Sequence, residues 1–404
     1  MSTSLLYHGF GIRGYQYVRM LFQKGHVIFK AKKRRHDLYC SNCGSRKLIL
    51  RGKVERTFRS LPIGKKPTYI MAAIQRVLCL TCHLVRQIDI GFADPKRSYT
   101  KSFERYAVEL CRHMTISDVA RHLGVSWDVI KGIEKRYLKK RFNKPKLKKL
   151  TQIAIDEISI GSGHRYLTIV LDLTTGAVVF VGDGKDAKAL SPFWKRLKAS
   201  RAKVRAVAID MSPAYISAVL EHLPEAVLVF DRFHIVKLFN HKLSDLRRTL
   251  YKQVSTQMEK DLLKGTRWLL LKNPENLNTE KDEPGRLQKA LAINQPLATA
   301  YYLKEDLRQL WSQPDKEKAK AFLYDWAERA RSSKIWILSQ FANTLLAHRS
   351  GILAWYDYPI STGPLEGTNN KIKTMKRRAY GFRDREFFKL KILSLHETKY
   401  ALIG

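Results

Sequence analysis

From residue 152 to residue 231 the spacing of apolar positions changes repeatedly, and the changes fall in a definite order. QIAIDEISI (152–160) alternates like a strand, and RYLTIVLDLTTGAVVFVGDG (165–184) reads as two strands turned at Thr175 and Gly176. ALSPFWKRLK (189–198) has helical spacing; VRAVAID (204–210) is a strand ending at Asp210. MSPAYISAVLEHLP (211–224) is a helix, and AVLVFD (226–231) is a strand ending at Asp231.

Three strands, helix, strand, helix, strand is the order of an RNase H-like domain, a mixed sheet in which the first and fourth strands lie side by side and parallel. Asp156 and Asp210, each at the end of an apolar run, are then expected as close neighbours. Two such carboxylates repel each other unless a cation lies between them, which is the reason to expect metal. A pair of Mg2+ (or Mn2+) ions held by acids activates an attacking water or 3′-hydroxyl and stabilises the leaving oxygen in phosphodiester chemistry. A third acid is needed to hold the second ion, and Glu366 in PLEGTNNKIKTMKRR (364–378) has the right chemistry.

That glutamate also has a plain structural role. Gly363 suits an N-cap and Pro364 a first helical position, and Glu366 then falls third, where a carboxylate complements the helix dipole. Leu365, Thr368, Ile372, Met375 and Ala379 share the apolar face of the expected helix. Glu366 lies about 100° away, in line with Asn370 and Lys373, able to lean over a sheet edge towards the aspartates.

The N-terminal third reads differently. LILRGKVERTFRSLP (48–62) and PTYIMAAIQRVLC (67–79) read as strands between two cysteine pairs, Cys40/Cys43 and Cys79/Cys82. Four thiolates from two such knuckles suit structural Zn2+, and strands between them suit a zinc ribbon; disulfides or redox motifs are the competing use. His83 is an alternative ligand, while Cys111, within SFERYAVELCRH, belongs on the core face of an amphipathic helix. TISDVARHLGVSWDVIKGIEKRYL (115–138) has the form of a helix-turn-helix: Ala120 at the helix contact, Gly124 at the turn, Ser126 capping the second helix, and Val129, Ile130 and Ile133 on its apolar face. Lys131, Lys135 and Arg136 would then be available to DNA.

Charge strengthens the nucleic-acid reading. The 404 residues carry 75 Lys and Arg against 36 Asp and Glu, a net charge of +39. The basic residues recur in KAKKRR (30–35), in KKRFNKPKLKK (139–149) and after Glu366, where Lys373, Lys376, Arg377 and Arg378 could neutralise phosphates. Hydrophobic residues make up 45%, enough for real cores, but no apolar run approaches the roughly 18 residues of a membrane span, and the N-terminal MSTSLLYHGFGIRG has no secretion pattern. A soluble, cytoplasmic protein is expected.

Taken together, the cysteine pairs, the helix-turn-helix, IDEISI, AIDMSPAY, VFDRFHIVKLFN and STGPLEGTNNKIKTMKRRAYGF resemble the ISL3-type insertion-sequence transposases over most of the chain. The resemblance implies a metal-dependent DDE triad at Asp156, Asp210 and Glu366, auxiliary site roles for Asp231 and His234 in the DRFH motif, and an all-helical insertion within the core. Ser361-Thr362 stands where many members have Ser-Asn. The implied organisation is a zinc-ribbon DNA-binding domain (1–95), a helix-turn-helix with basic linker (96–150), the core's first part (151–243), the insertion (244–355) and its second part (356–404). Trp268, Trp311, Trp326 and Trp355 are expected in the core rather than as stacking platforms. The implied activity is binding of the element's terminal inverted repeats, strand cleavage and strand transfer, by at least a dimer when two ends are synapsed, in a bacterial nucleoid. The alternatives are a zinc-dependent DNA-binding regulator with an inert core and a structure-selective nuclease that cuts without joining.

Overall fold

The computed structural model describes residues 4–161, 163 and 165–395, and the chain divides into two compact units, residues 1–143 and 144–404.

The first unit opens with a short helix, α1 (Leu5–Phe10), followed by β1 (Tyr15–Gln23), β2 (His26–Lys33), β3 (Leu48–Ile63), β4 (Lys66–Cys79) and β5 (Val85–Gln87). The sheet runs β1-β2-β4-β3, with β5 also paired to β4. The strands between the cysteine pairs form the expected antiparallel hairpin, β3 with β4. Alternate β4 residues Thr68, Ile70, Ala72 and Ile74 are buried, and Ile70, Ala72 and Ile74 pack with Phe29 and Phe58. Three helices follow: α2 (Lys101–His113), α3 (Ile116–Leu123) and α4 (Trp127–Phe142), capped by the side chains of Thr100, Thr115 and Ser126. Gly124 ends α3 at φ 61, a left-handed conformation that favours glycine and turns the chain into α4. Cys111 is buried with Phe103, Val119, Ile130 and Ile133, as its apolar setting predicts.

The second unit is built on the five-stranded sheet expected from the strand order: β6 (Gln152–Gly161), β7 (Arg165–Asp172), β8 (Val178–Asp183), β9 (Ala206–Ile209) and β10 (Val227–Phe230), arranged β10-β9-β6-β7-β8. β6, β7 and β8 are antiparallel neighbours; β9 runs parallel to β6, and β10 parallel to β9. α5 (Ser191–Ser200), α6 (Pro213–His222) and α7 (Arg232–Gln253) contribute Phe193, Tyr215 and Ile235 to the cluster holding Ile153, Ile155 and Val207. Alternation sends Ala154, Ile158 and Ala208 to the sheet's other face. The RNase H-like core is thus a sheet between two helical layers.

The chain leaves this core along α7 for a helical region: α8 (Gln257–Gly265), α9 (Glu283–Ile293), α10 (Gln295–Leu307), α11 (Lys316–Ser332), α12 (Trp336–Ala347) and α13 (Arg349–Leu353). It returns through α14 (Gly363–Arg378) and α15 (Arg385–Leu393), whose Leu365, Ile372 and Phe388 cover the sheet's second face.

Two expectations about side-chain placement are corrected. Trp326 is fully buried against Phe239 and Phe341, Trp311 is buried and half-buried Trp355 packs against the same core, but Trp268 is 64% exposed. After α8, burial of Thr266, Leu269 and Leu270 at helical spacing turns Arg267 and Trp268 outward. On α14 the helix begins at Gly363 with Thr362 as N-cap, one residue earlier than expected. Its buried face is Leu365, Asn369 and Ile372, with Met375 partly buried; Thr368 instead turns its hydroxyl back to the Pro364 carbonyl (2.9 Å), and Ala379 lies beyond the helix end.

Candidate functional site

In the first unit the four cysteines come together. Their sulfurs all lie within 4.8 Å of one another, with Cys40–Cys82 at 3.6 Å and Cys43–Cys79 at 3.5 Å. A disulfide requires about 2.05 Å. Four thiolates around one Zn2+ at about 2.3 Å stand roughly 3.8 Å apart, so the donor set fits zinc. The backbone amides of Cys82 and then Thr81 outweigh burial and bring the Cys79 thiol down to about 6, favouring the thiolate that a metal needs. His83 is exposed and outside the group.

The helix-turn-helix assignments divide. Lys131 lies over the Trp127 ring at 5.0 Å on half-exposed α4, and Lys135 is also half-exposed. Arg136 is committed internally, donating to Tyr99 Oη at 2.7 Å and pairing with Glu104 of α2. It braces α2 against α4, and the expectation that it is available to DNA is corrected accordingly. A second arginine does comparable work: buried Arg59 of β3 donates to the carbonyls of Leu123 (2.8 Å) and Thr68 (3.3 Å), tying α3 to the sheet.

In the second unit the acids collect where the parallel pairing of β6, β9 and β10 ends: Asp210 and Asp231 directly follow β9 and β10, and Asp156 lies midway along the longer β6. Ala154 pairs with Ala208, so two residues further β6 and β9 deliver Asp156 and Asp210 at matching positions. Parallel neighbours lie about 5 Å apart. Phe230 pairs with Ile209, and the Asp231 amide donates to the Ile209 carbonyl at 3.1 Å, which brings Asp231 alongside Asp210.

The three aspartates are held differently. Asp156 accepts from the Glu157 amide (2.8 Å) and from Asn369 Nδ2 (2.9 Å), and Asp210 accepts from the Ser212 amide (3.0 Å). Asp231 is 3% exposed; one oxygen caps α7 through the Phe233 amide, and the other accepts the hydroxyl of buried Thr362. That contact joins the exit of the chain from the core to its return, 131 residues later.

Burial raises the Asp156 carboxyl above its ordinary range; the Glu157 amide and His234 oppose the rise, and Asp210 adds to it. Lys237, one turn after His234 on α7, also opposes it. Glu157 is raised as well, by burial first and then by Asp210 and Asp156. It alternates with Asp156 on β6 and so belongs to the other face, opposite Thr168, whose hydroxyl meets Tyr215 Oη at 3.1 Å and donates to the Gly184 carbonyl at 2.9 Å. Sequence reasoning missed Glu157, Asn369 and Lys237. Only adjacency to Asp156, Glu366 and His234 could have flagged them.

Glu366 is exposed in the first turn of α14. Among the described residues, the four cysteines are the one group of three or more Cys, His, Asp or Glu whose donor atoms lie within 4.8 Å of one another. Glu366 is therefore not drawn to that spacing with Asp156 and Asp210. Its helix is nevertheless pinned: Asn369, three residues on, reaches Asp156, and Lys376 donates to the Ile160 carbonyl at the end of β6. Residues three apart on a helix are surface neighbours, about 5–6 Å between Cβ atoms, so Glu366 stands one turn from the contact with Asp156. Lys373, Arg377 and Arg378 are exposed on the same helix. Carboxylate oxygens are the hard donors that a divalent cation takes, so the chemistry of Asp156, Asp210 and Glu366 is compatible with one.

A fold with acids at these strand ends, joined in one chain to a zinc ribbon and a helix-turn-helix, belongs to the transposase class. Models of known families match it segment by segment: a transposase model of the ISL3 type over residues 153–392, the helix-turn-helix domain of transposase family ISL3 over 88–138, and the zinc finger of transposases IS204/IS1001/IS1096/IS1165 over 39–82. This chain belongs to the ISL3 family of insertion-sequence transposases, enzymes that cut DNA and transfer its strands. It is 32% identical to the transposase for insertion sequence element IS1001 of Bordetella parapertussis over 361 residues, 88% of each chain. It is 29% identical to the transposase for insertion sequence element IS1557 of Mycobacterium tuberculosis, covering 85% of this chain and 82% of that one. A chain of the Drosophila P element transposase strand transfer complex aligns at TM-score 0.39 and 12% identity over 75% of this chain and 93% of that one, too distant to fix residue roles. Among the described residues no helix is long and apolar enough to cross a membrane.

Proposed function

We propose that this transposase recognises the terminal inverted repeats of its own insertion sequence through α4, and cuts and joins strands at a centre formed by Asp156, Asp210 and Glu366. Bound to these carboxylates, two Mg2+ or Mn2+ ions would supply activation of the attacking oxygen and charge stabilisation at the leaving oxygen. The protein's own groups prepare the place. Asn369 and the Glu157 amide orient Asp156, and the Ser212 amide orients Asp210. Lys237 brings positive charge towards Asp156, where a scissile phosphate is to be held, with His234 one turn before it on α7. Asp231, with both oxygens engaged, acts as a positioning residue that keeps α7 and the start of α14 together. Lys373, Arg377 and Arg378 extend the phosphate-binding surface along α14, and Lys131 and Lys135 serve the repeat-binding helix. Synapsis of two ends calls for at least a dimer, working at the nucleoid.

The observation that supports this reading most directly is the Asn369–Asp156 hydrogen bond, which fastens the helix of Glu366 to the strand bearing the first aspartate. The decisive assay is strand transfer with purified protein, linear DNA carrying the element's two ends, a supercoiled target and Mg2+ or Mn2+, beside Asp210→Asn and Glu366→Gln. Joined products from the wild type alone are expected. Unaltered joining by Glu366→Gln would remove Glu366 from the centre; end binding without nicking or joining by any of the three would favour a regulator with an inert core.

A further inference from the structure

Trp268 poses a question that the catalytic centre leaves unanswered. A tryptophan 64% exposed on a helical domain leaves a large apolar surface in water. The Arg267 guanidinium lies over its ring at 4.7 Å, and other guanidinium groups gather at the same turn. Arg247 of α7 donates to the Leu263 carbonyl at 3.0 Å, and Arg286 of α9 reaches the Gly265 carbonyl at 3.5 Å, so both close on the carboxyl end of α8. Arg248 follows on α7, where it pairs with Asp245. Burial and then repulsion from Arg267 and Arg248 hold Arg247 below its ordinary pKa, as expected where positive charge is concentrated.

Capping of α8 accounts for Arg247 and Arg286. It does not account for Arg267 and Trp268, which a surface loop could replace with small polar residues at no cost to packing. An exposed aromatic ring beside clustered arginines is the combination that holds an unpaired nucleotide: the base stacks on the ring, and the phosphates on either side meet the guanidinium groups. Charge complementarity selects a polyanion, and the ring selects one with exposed bases.

We propose that Arg267 and Trp268 form a single-strand DNA-binding site on the insertion domain, which stacks an unpaired base at the opened element end during transposition. The proposal rests on the transposase reading for its substrate. α7 sets the distance: it starts beside the acids and reaches Arg247 thirteen residues after His234, roughly 20 Å along the helix at 1.5 Å per residue. An unpaired strand extends further per nucleotide than the roughly 3.4 Å step of a duplex, so the site falls within about six nucleotides of the scissile phosphate.

The test uses full-length protein and element-end DNA in two forms, fully paired and forked with unpaired bases next to the cleavage position. 5-Iodouracil is placed in turn at each unpaired base for photocrosslinking, with peptide mapping, and affinities are measured for wild type, Trp268→Ala, Trp268→Phe and Arg267→Ala. Because Trp268 is largely exposed, Trp268→Ala is expected to keep the wild-type melting temperature. The site predicts a crosslink within residues 266–272, strongest at an unpaired base within about six nucleotides of the cut. It also predicts a five- to hundred-fold loss of forked-end affinity in Trp268→Ala, partial recovery in Trp268→Phe, a loss in Arg267→Ala, and paired-end affinity unchanged throughout. Equal losses on paired and forked ends, or wild-type affinity of Trp268→Ala for forked ends, would overturn it. Preference for forked DNA is measured without strand transfer, so failure of the catalytic reading is seen separately.

Discussion

Asp156 and Glu157 are neighbouring carboxyls that point to opposite faces of β6, and both are shifted towards the neutral form, by burial first. An acid whose pKa is raised on folding binds its proton more tightly in the native state. Its stabilising contribution is therefore full below the unfolded value and is lost as pH rises through the folded value. Without divalent metal, the second unit should accordingly lose stability between mildly acidic and neutral pH. Glu157→Gln should raise its melting temperature near pH 7.5 by a few degrees, on the scale of about 2–4 °C per kcal/mol for a unit of this size, and should do little near pH 4. Thermal melts across pH, with and without Mg2+, check this. Equal melting of the two proteins at pH 7.5 without metal would remove Glu157 from the electrostatics of the centre. The aspartates could be read in the sequence because each closes an apolar run. Asn369 could not, because nothing before folding shows that it, and not Thr368, faces the sheet. Arg136 misled for the same reason: its partner Glu104 lies 32 residues earlier on another helix.

Among the elements, the sheet was the most legible part, since strand and helix periods in a fixed order leave few topologies. The insertion was legible only as helical. The outward turn of Trp268 depends on where α8 stops, a decision taken by the packing of Thr266, Leu269 and Leu270. Two junctions can be tested. Thr362→Val leaves an oxygen of buried Asp231 without its hydroxyl donor, at a cost of about 1–3 kcal/mol. If the contact sets the position of α14, the strand-transfer rate should fall more than end binding, and Thr362→Ser should restore it. At Gly351 of α13 an added Cβ would lie 2.5 Å from the Phe230 ring, next to Asp231. Gly351→Ala should destabilise the second unit by about 1–3 kcal/mol, measured by urea unfolding; wild-type stability would mean that α13 can move away from β10 freely.

For the molecule as a whole, a charge of +39 makes salt the first variable in any binding measurement. Removing one phosphate-contacting lysine, as in Lys131→Ala or Lys135→Ala, should lower the slope of log affinity against log salt by about one unit. An unchanged slope and unchanged sequence preference in both would show that α4 does not read the repeats. Zinc should matter to the first unit alone. Chelation, or Cys79→Ser, should unfold the ribbon and abolish repeat recognition, while the melt of the second unit stays in place; zinc content and melting of each unit measured together would decide it. The order of parts along the chain has one more consequence. Everything assigned to recognising the terminal repeats lies within residues 1–143, whereas Glu366 is made among the last residues and its helix is fastened only once Thr362 meets Asp231 and Asn369 meets Asp156. A ribosome therefore finishes the grip long before the blade. If the repeats are read through α4, a product halted anywhere between α7 and α14 is expected to occupy the element's ends without cutting them and so to repress transposition.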